Sequence, residues 1–107
     1  MNKLEAAYAR HLQQQVLAGR YTGWQFEPMK LSLGDGWLCT YTPDFMVTRP
    51  DGILELHEVK GHWEDDARVK IKVAASRFPF VFVGITRSRG EWQHELFTQE
   101  EPQCPTA

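Results

Sequence analysis

The sequence is poor in cysteine, with only Cys39 and Cys104. A disulfide framework needs more, and neither they nor His11, His57, His62 and His94 show C-x-x-C or H-x-x-x-H spacing, so a zinc site is not expected. Both cysteines read as free thiols. No apolar run approaches the ~18 residues a membrane span requires. The opening MNKLEAAYARHLQQQ has no apolar signal-peptide core, which leaves no membrane partner and a cytoplasmic location as the expectation. Ser32, Ser76 and Ser88 lack a G-x-S-x-G context, and no Gly-rich loop is available to cradle a phosphate. An excess of positive charge is missing too. Twelve Lys and Arg stand against fourteen Asp and Glu, so the surface is not built throughout for nucleic acid.

The positive charge is concentrated, however. Arg68, Lys70, Lys72, Arg77, Arg87 and Arg89 follow one another with no acid between them. Such a segment can meet phosphates, or it can be a solvated helix face followed by a charged loop. The 107 residues suffice for one domain, taken as 1–97, and the polar, proline-containing stretch 98–107 reads as a flexible tail.

Hydrophobic spacing predicts a helix from Leu4 to about Ala18, stopped by Gly19. It predicts strands over Phe26–Leu33, Trp37–Thr48 and Ile53–Lys60, with a turn at Gly34-Asp35-Gly36 and an interruption near Pro43. A second helix is expected over Glu64–Arg77. Strands follow at Phe80–Thr86, apolar enough to be buried on both faces, and at Trp92–Phe97. The expected fold is α/β (α+β): a mixed four- to five-stranded sheet flanked by two helices, in the order αβββαβ with a further strand. Trp24, Phe26, Trp37, Phe80, Phe82 and Trp92 are assigned to the core.

The stretch YTPDFMVTRPDGILELHEVKG is the informative one. Arg49-Pro50-Asp51-Gly52-Ile53 suits a three-residue hairpin loop, with Pro50 setting a type I turn and Gly52 in the left-handed position. That loop pairs Arg49 with Ile53 and sets Asp44 directly opposite Glu58. Lys60 lies on the same face. A two- or four-residue loop would instead oppose Asp44 with His57 or Glu55. Opposed carboxylates repel. Lys60 relieves this in part, and a divalent cation would relieve it fully. The oxygen donors suit Mg²⁺. A plain surface Glu58–Lys60 pair, with Asp44 as a turn residue, is the other reading.

Pro43-Asp44, thirteen intervening residues, then Glu58-Val59-Lys60 resembles the P-D…(D/E)-x-K signature of the restriction-endonuclease-like nuclease superfamily. Residues 4 to 97 are similar to small phage and prophage endonucleases, including junction-resolving endonuclease I. The resemblance implies a Mg²⁺-dependent DNA endonuclease, with Mn²⁺ able to substitute, of phage origin and acting in a bacterial host cell. Branched or junction DNA is among its candidate substrates, and DNA recombination is a candidate process. Asp44, Glu58 and the Val59 carbonyl would bind the metal. Lys60 would orient or help deprotonate the attacking water. Glu5, in the first helix, matches the further acid many members carry, although a first-turn acid also suits the helix dipole on its own. His62, Arg68, Lys70 and Lys72 would contact DNA, with the Arg68–Lys72 pair, on one helix face, favoured for the phosphate backbone. Trp63 reads as packing over the start of the second helix, with base stacking as the other role. A homodimer is the candidate assembly, because one site cuts one strand. The net acidic charge departs from the usual basic resolvase. A non-catalytic module of the same fold, binding nucleic acid or protein, is the alternative.

Overall fold

Local signals set the first helix, α1 (Lys3–Leu17), in the computed structural model, which describes residues 1–34 and 40–98. The Asn2 side chain accepts the Glu5 N–H and the Glu5 carboxylate accepts the Asn2 N–H, each at 2.8 Å. This capping box satisfies two donors that the helix start would leave bare. Tyr8, Ala9 and Leu12 then form the buried stripe. Gly19, at φ 79, turns the chain out of the helix.

The strands are β1 (Gly23–Phe26), β2 (Leu31–Ser32), β3 (Thr40–Tyr41), β4 (Phe45–Thr48), β5 (Leu54–Val59), β6 (Val81–Ser88) and β7 (Glu91–Leu96), and α2 (Asp65–Arg77) joins β5 to β6. Two strands differ from expectation. The Phe26–Leu33 strand is divided, because Glu27 sits at φ 45 and Pro28 has no N–H to give a ladder. The sheet strand lies earlier, at Gly23–Phe26, and Leu31–Ser32 pairs with β3 in a separate ribbon. The second expected strand is broken around Pro43 into β3 and β4. The Gly34-Asp35-Gly36 turn and the Trp37–Cys39 part of that strand fall on residues 35–39, outside the described residues. So does the tail beyond Thr98, with Cys104.

The main sheet runs β1-β4-β5-β6-β7, and its neighbours are antiparallel except for the parallel pair β5–β6. A parallel pair needs a crossover, and α2 supplies it. The protein is therefore a mixed α+β fold with a five-stranded mixed sheet and two helices. α1 packs Tyr8, Ala9 and Leu12 on one face, against Phe45, Val47, Val59, Val83 and Ile85. Ile71 and Ala74 of α2, with Leu31 and Tyr41 of the ribbon, cover Leu56 and Phe82 on the other. Trp24, Phe26 and Trp92 pack against the first cluster. Phe80 packs against the second, and Phe82 is fully buried within it. No helix among the described residues is long and apolar enough to cross a membrane.

Gly84 makes room for one wall of the site described next. It pairs with Glu58 across β5–β6, and an added Cβ would lie 2.7 Å from the Phe97 ring and 2.8 Å from the Trp63 ring. Both are bulky rings set against the sheet, so neither yields cheaply. Gly84→Ala is expected to lower stability by about 1–3 kcal/mol through overpacking. Urea unfolding would register this as a lower midpoint, and an unchanged midpoint would mean the rings are free to move.

Candidate functional site

The site begins with the β4–β5 hairpin. The Arg49 N–H donates to the Ile53 carbonyl at 3.0 Å and the Gly52 N–H to the Arg49 carbonyl at 2.9 Å, with Gly52 at φ 88. Asp51 pins the loop by accepting the Ile53 N–H at 3.1 Å and pairing with Arg49 at 2.8 Å. This is the three-residue loop. It sets Thr48 against Leu54 and Phe45 against His57, so the next step brings Asp44 to Glu58.

Asp44 lies just before β4 and is held from two sides. Its carbonyl accepts the Glu27 N–H at 2.8 Å, and its Oδ2 accepts the Val59 N–H at 2.9 Å. Asp44 and Glu58 are both buried, at 9% and 6% exposure. Burial first, then the Glu58 charge, pushes the Asp44 carboxyl up to about 8. A hydrogen bond to Glu58 that only the protonated acid can donate adds to this, the Val59 N–H opposes it, and the Glu5 charge contributes least. The Tyr41 hydroxyl donates to Oε2 of Glu58. Burial, followed by the Glu58 charge, raises the Tyr41 pKa, so the phenol stays a donor. Lys60 Nζ stands 3.7 Å from Glu58 Oε1, with its side chain 41% exposed. A cavity of about 300 Å³ opens over these groups, with Trp63 and Lys70 completing its charged and aromatic lining.

The structure thus brings Asp44, Glu58 and Lys60 together. Val59 joins through its backbone, while its side chain is buried in the α1-side core. Glu5 is near enough to act on Asp44 electrostatically, but its carboxylate is committed to the Asn2 N–H. Among the basic residues of α2, Lys70 lines the cavity. Arg68 is drawn away to Glu95, at 2.6 and 2.8 Å, and stacks over Trp63 and Phe97. Lys72 is exposed and outside the lining. Of the residues expected to contact DNA, Lys70 rather than the favoured Arg68–Lys72 pair lies at the cavity, and Arg68 pairs with Glu95 of β7. His62 is largely exposed and lies 3.9 Å from Glu64. Trp63 packs against Phe97 and over Gly84.

Two features were missed in the sequence. Tyr41 gives no local signal, because it reaches Glu58 only once the β2–β3 ribbon folds over the sheet. On the opposite face, fully buried His57 lies between the Tyr8 hydroxyl, 2.5 Å from Nδ1, and Glu55, 2.7 Å from Nε2. Burial keeps the Tyr8 pKa high, so Tyr8 donates and the Nε2–H of His57 donates to Glu55. Alternation along β5 puts His57 on the α1 side, next to but facing away from Glu58.

Two facing carboxyls, with Asp44 pushed up first by burial and then by the Glu58 charge, are a donor pair that suits a divalent cation. The ion would replace the shared proton and remove the repulsion. Among the described residues no three His, Cys, Asp or Glu side chains form a closed cage, and Mg²⁺ does not need one, since it binds through one or two carboxylates and keeps several waters.

A raised carboxyl pKa stabilises the fold below the ordinary carboxylate range, and that contribution is lost as pH rises through about 8. Without metal, Tm should therefore fall as pH rises from about 4 to about 8, more steeply in the wild type than in Asp44→Asn. Mg²⁺ at pH 8 should restore it in the wild type only, by about 2.7 kcal/mol at a hundredfold excess over Kd. Parallel pH dependence in the two proteins, with no response to Mg²⁺, would contradict this. No family model matches the sequence, and neither a curated protein nor a solved structure matches the chain.

Proposed function

We propose that this protein is a divalent-metal-dependent endonuclease of restriction-endonuclease-like fold that hydrolyses phosphodiester bonds in DNA. The observation that carries the proposal is the buried Asp44–Glu58 pair with Lys60 beside it at the mouth of a polar cavity. Opposed acids inside an apolar sheet are costly for stability alone, and a cation with a phosphate beside it accounts for all three charges.

Asp44 and Glu58 would hold the ion, with the Val59 carbonyl as the third donor that the P-D…E-x-K resemblance implies. When bound, Mg²⁺ supplies charge neutralisation at the phosphate and a more acidic water. The chain does the rest. The Val59 N–H fixes one Asp44 oxygen, and the Tyr41 hydroxyl fixes one Glu58 oxygen, so the remaining oxygens have little freedom to turn away. Lys60, half in solvent, can donate to a phosphate oxygen or to the attacking water. Lys70 enters the cavity from α2 and offers a second cation to the substrate. Trp63 walls off one side and keeps the cavity narrow.

A homodimer would present two such sites to the two strands of a duplex. Branched DNA belongs among the substrates because the site grips phosphates and names no base. Nicking of supercoiled plasmid tests the proposal. Conversion to open-circular or linear DNA should require Mg²⁺ or Mn²⁺. It should fall by about 10²-fold or more in Lys60→Ala, the scale of a positioned proton-transfer group. No product from plasmid or junction DNA in any metal would instead favour a binding module without catalysis.

A further inference from the structure

We infer that the β6–β7 hairpin is a DNA-contacting arm of this site, gripping the phosphate backbone through Arg89 at its tip. The inference rests on the nuclease reading and adds a binding element to it. β5 and β6 are parallel, and their pairing ends at Val59 with Ile85, beside Lys60, whose N–H donates to the Ile85 carbonyl. β6 continues through Thr86, Arg87 and Ser88, paired there with β7 alone among the described residues. Three further residues at ~3.3 Å each carry the hairpin roughly 10 Å past the end of β5. That is the end of the sheet where Asp44, Glu58 and Lys60 gather.

The tip is built to display cations. Ser88 pairs with Glu91 across the two-residue turn Arg89-Gly90, and both turn residues have positive φ, 52 and 79. Such a turn favours Asn or Gly at its first position, so Arg89 occupies a conformation that disfavours it. Arg89 is exposed and makes no side-chain hydrogen bond or ion pair among the described residues. Strain accepted for a cation with no partner among the described residues is the feature a phosphate contact accounts for. Arg87, also exposed, is set over the Trp92 ring at 5.0 Å on the α1 side of the sheet, the face turned away from Glu58, so the site-side cation of the arm is Arg89. Within the segment 87–91, Glu91 is the one acid. α1 starts at this same end, since Leu4 approaches Gly61.

The strain makes the test clean. Arg89→Asn removes the charge while relieving the backbone, so its Tm should equal or exceed the wild type's. Binding of a short labelled duplex in EDTA, followed by anisotropy across a salt series, should weaken. The slope of log K against log salt should become shallower by about 0.9, the loss of one phosphate contact. Arg87→Gln, on the opposite face, is the control and should leave affinity and slope near the wild type's. Plasmid nicking in Mg²⁺ is measured on the same proteins. Unchanged affinity and slope in Arg89→Asn, with nicking intact in the wild type, would overturn the arm and leave the nuclease standing. A wild type that neither binds duplex nor nicks plasmid would overturn both.

Discussion

A slip of one residue between β4 and β5 would turn Glu58 to the opposite face and leave Asp44 facing His57. Everything that makes the site depends on that slip not occurring. The Arg49–Gly52 loop fixes one end of the register, and the Val59 N–H bonded to the Asp44 carboxylate fixes the other. Between them the pleat sorts the strand. His57 and Val59 enter the α1-side core, while Leu56 and Glu58 face α2 and the ribbon. The hairpin thus carries one polar cluster on each face, and a single register error would scramble both.

The two clusters are satisfied differently. Tyr8, His57 and Glu55 form a closed chain in which each donor has an acceptor, and it ties α1 to the middle of β5. The Asp44–Glu58 pair is closed only by sharing a proton, although Tyr41 and Val59 already donate to it. Chains of the first kind specify a fold. A pair of the second kind, at a cavity mouth with Lys60 and Lys70, is what the proposed cation would relieve. Gly84 belongs to the same economy of space, because its missing side chain lets the Trp63 and Phe97 rings close over β6 where it pairs with Glu58.

Much of this was legible in the sequence because it is local. The Pro-Asp-Gly loop announced its own length, and alternation then placed Asp44, Glu58 and Lys60 on one face. The helices were legible from the apolar spacing and, for the first, from the Gly19 stop; the Asn2 cap was not read. What was not legible depends on contacts distant in the chain. Glu27 gives no sign that it will adopt positive φ and divide a strand. Tyr41 meets Glu58 only through the ribbon. Arg68 and Lys70 differ in surroundings because Glu95, on the last strand, pairs with Arg68, while Lys70 lines the cavity. Glu5 shows the limit of motif matching. It is close enough to be felt by Asp44, yet its carboxylate caps its own helix.

The central claim is that Asp44 and Glu58 hold a divalent cation, and Mn²⁺ titration followed by amide NMR tests it directly. A bound paramagnetic ion broadens nearby amides first. Broadening should centre on Tyr41, Asp44 and Glu58 through Lys60, extend to Lys70, and vanish in Glu58→Gln. Broadening centred on His11 and His94 across the sheet, or none that is selective, would contradict the account.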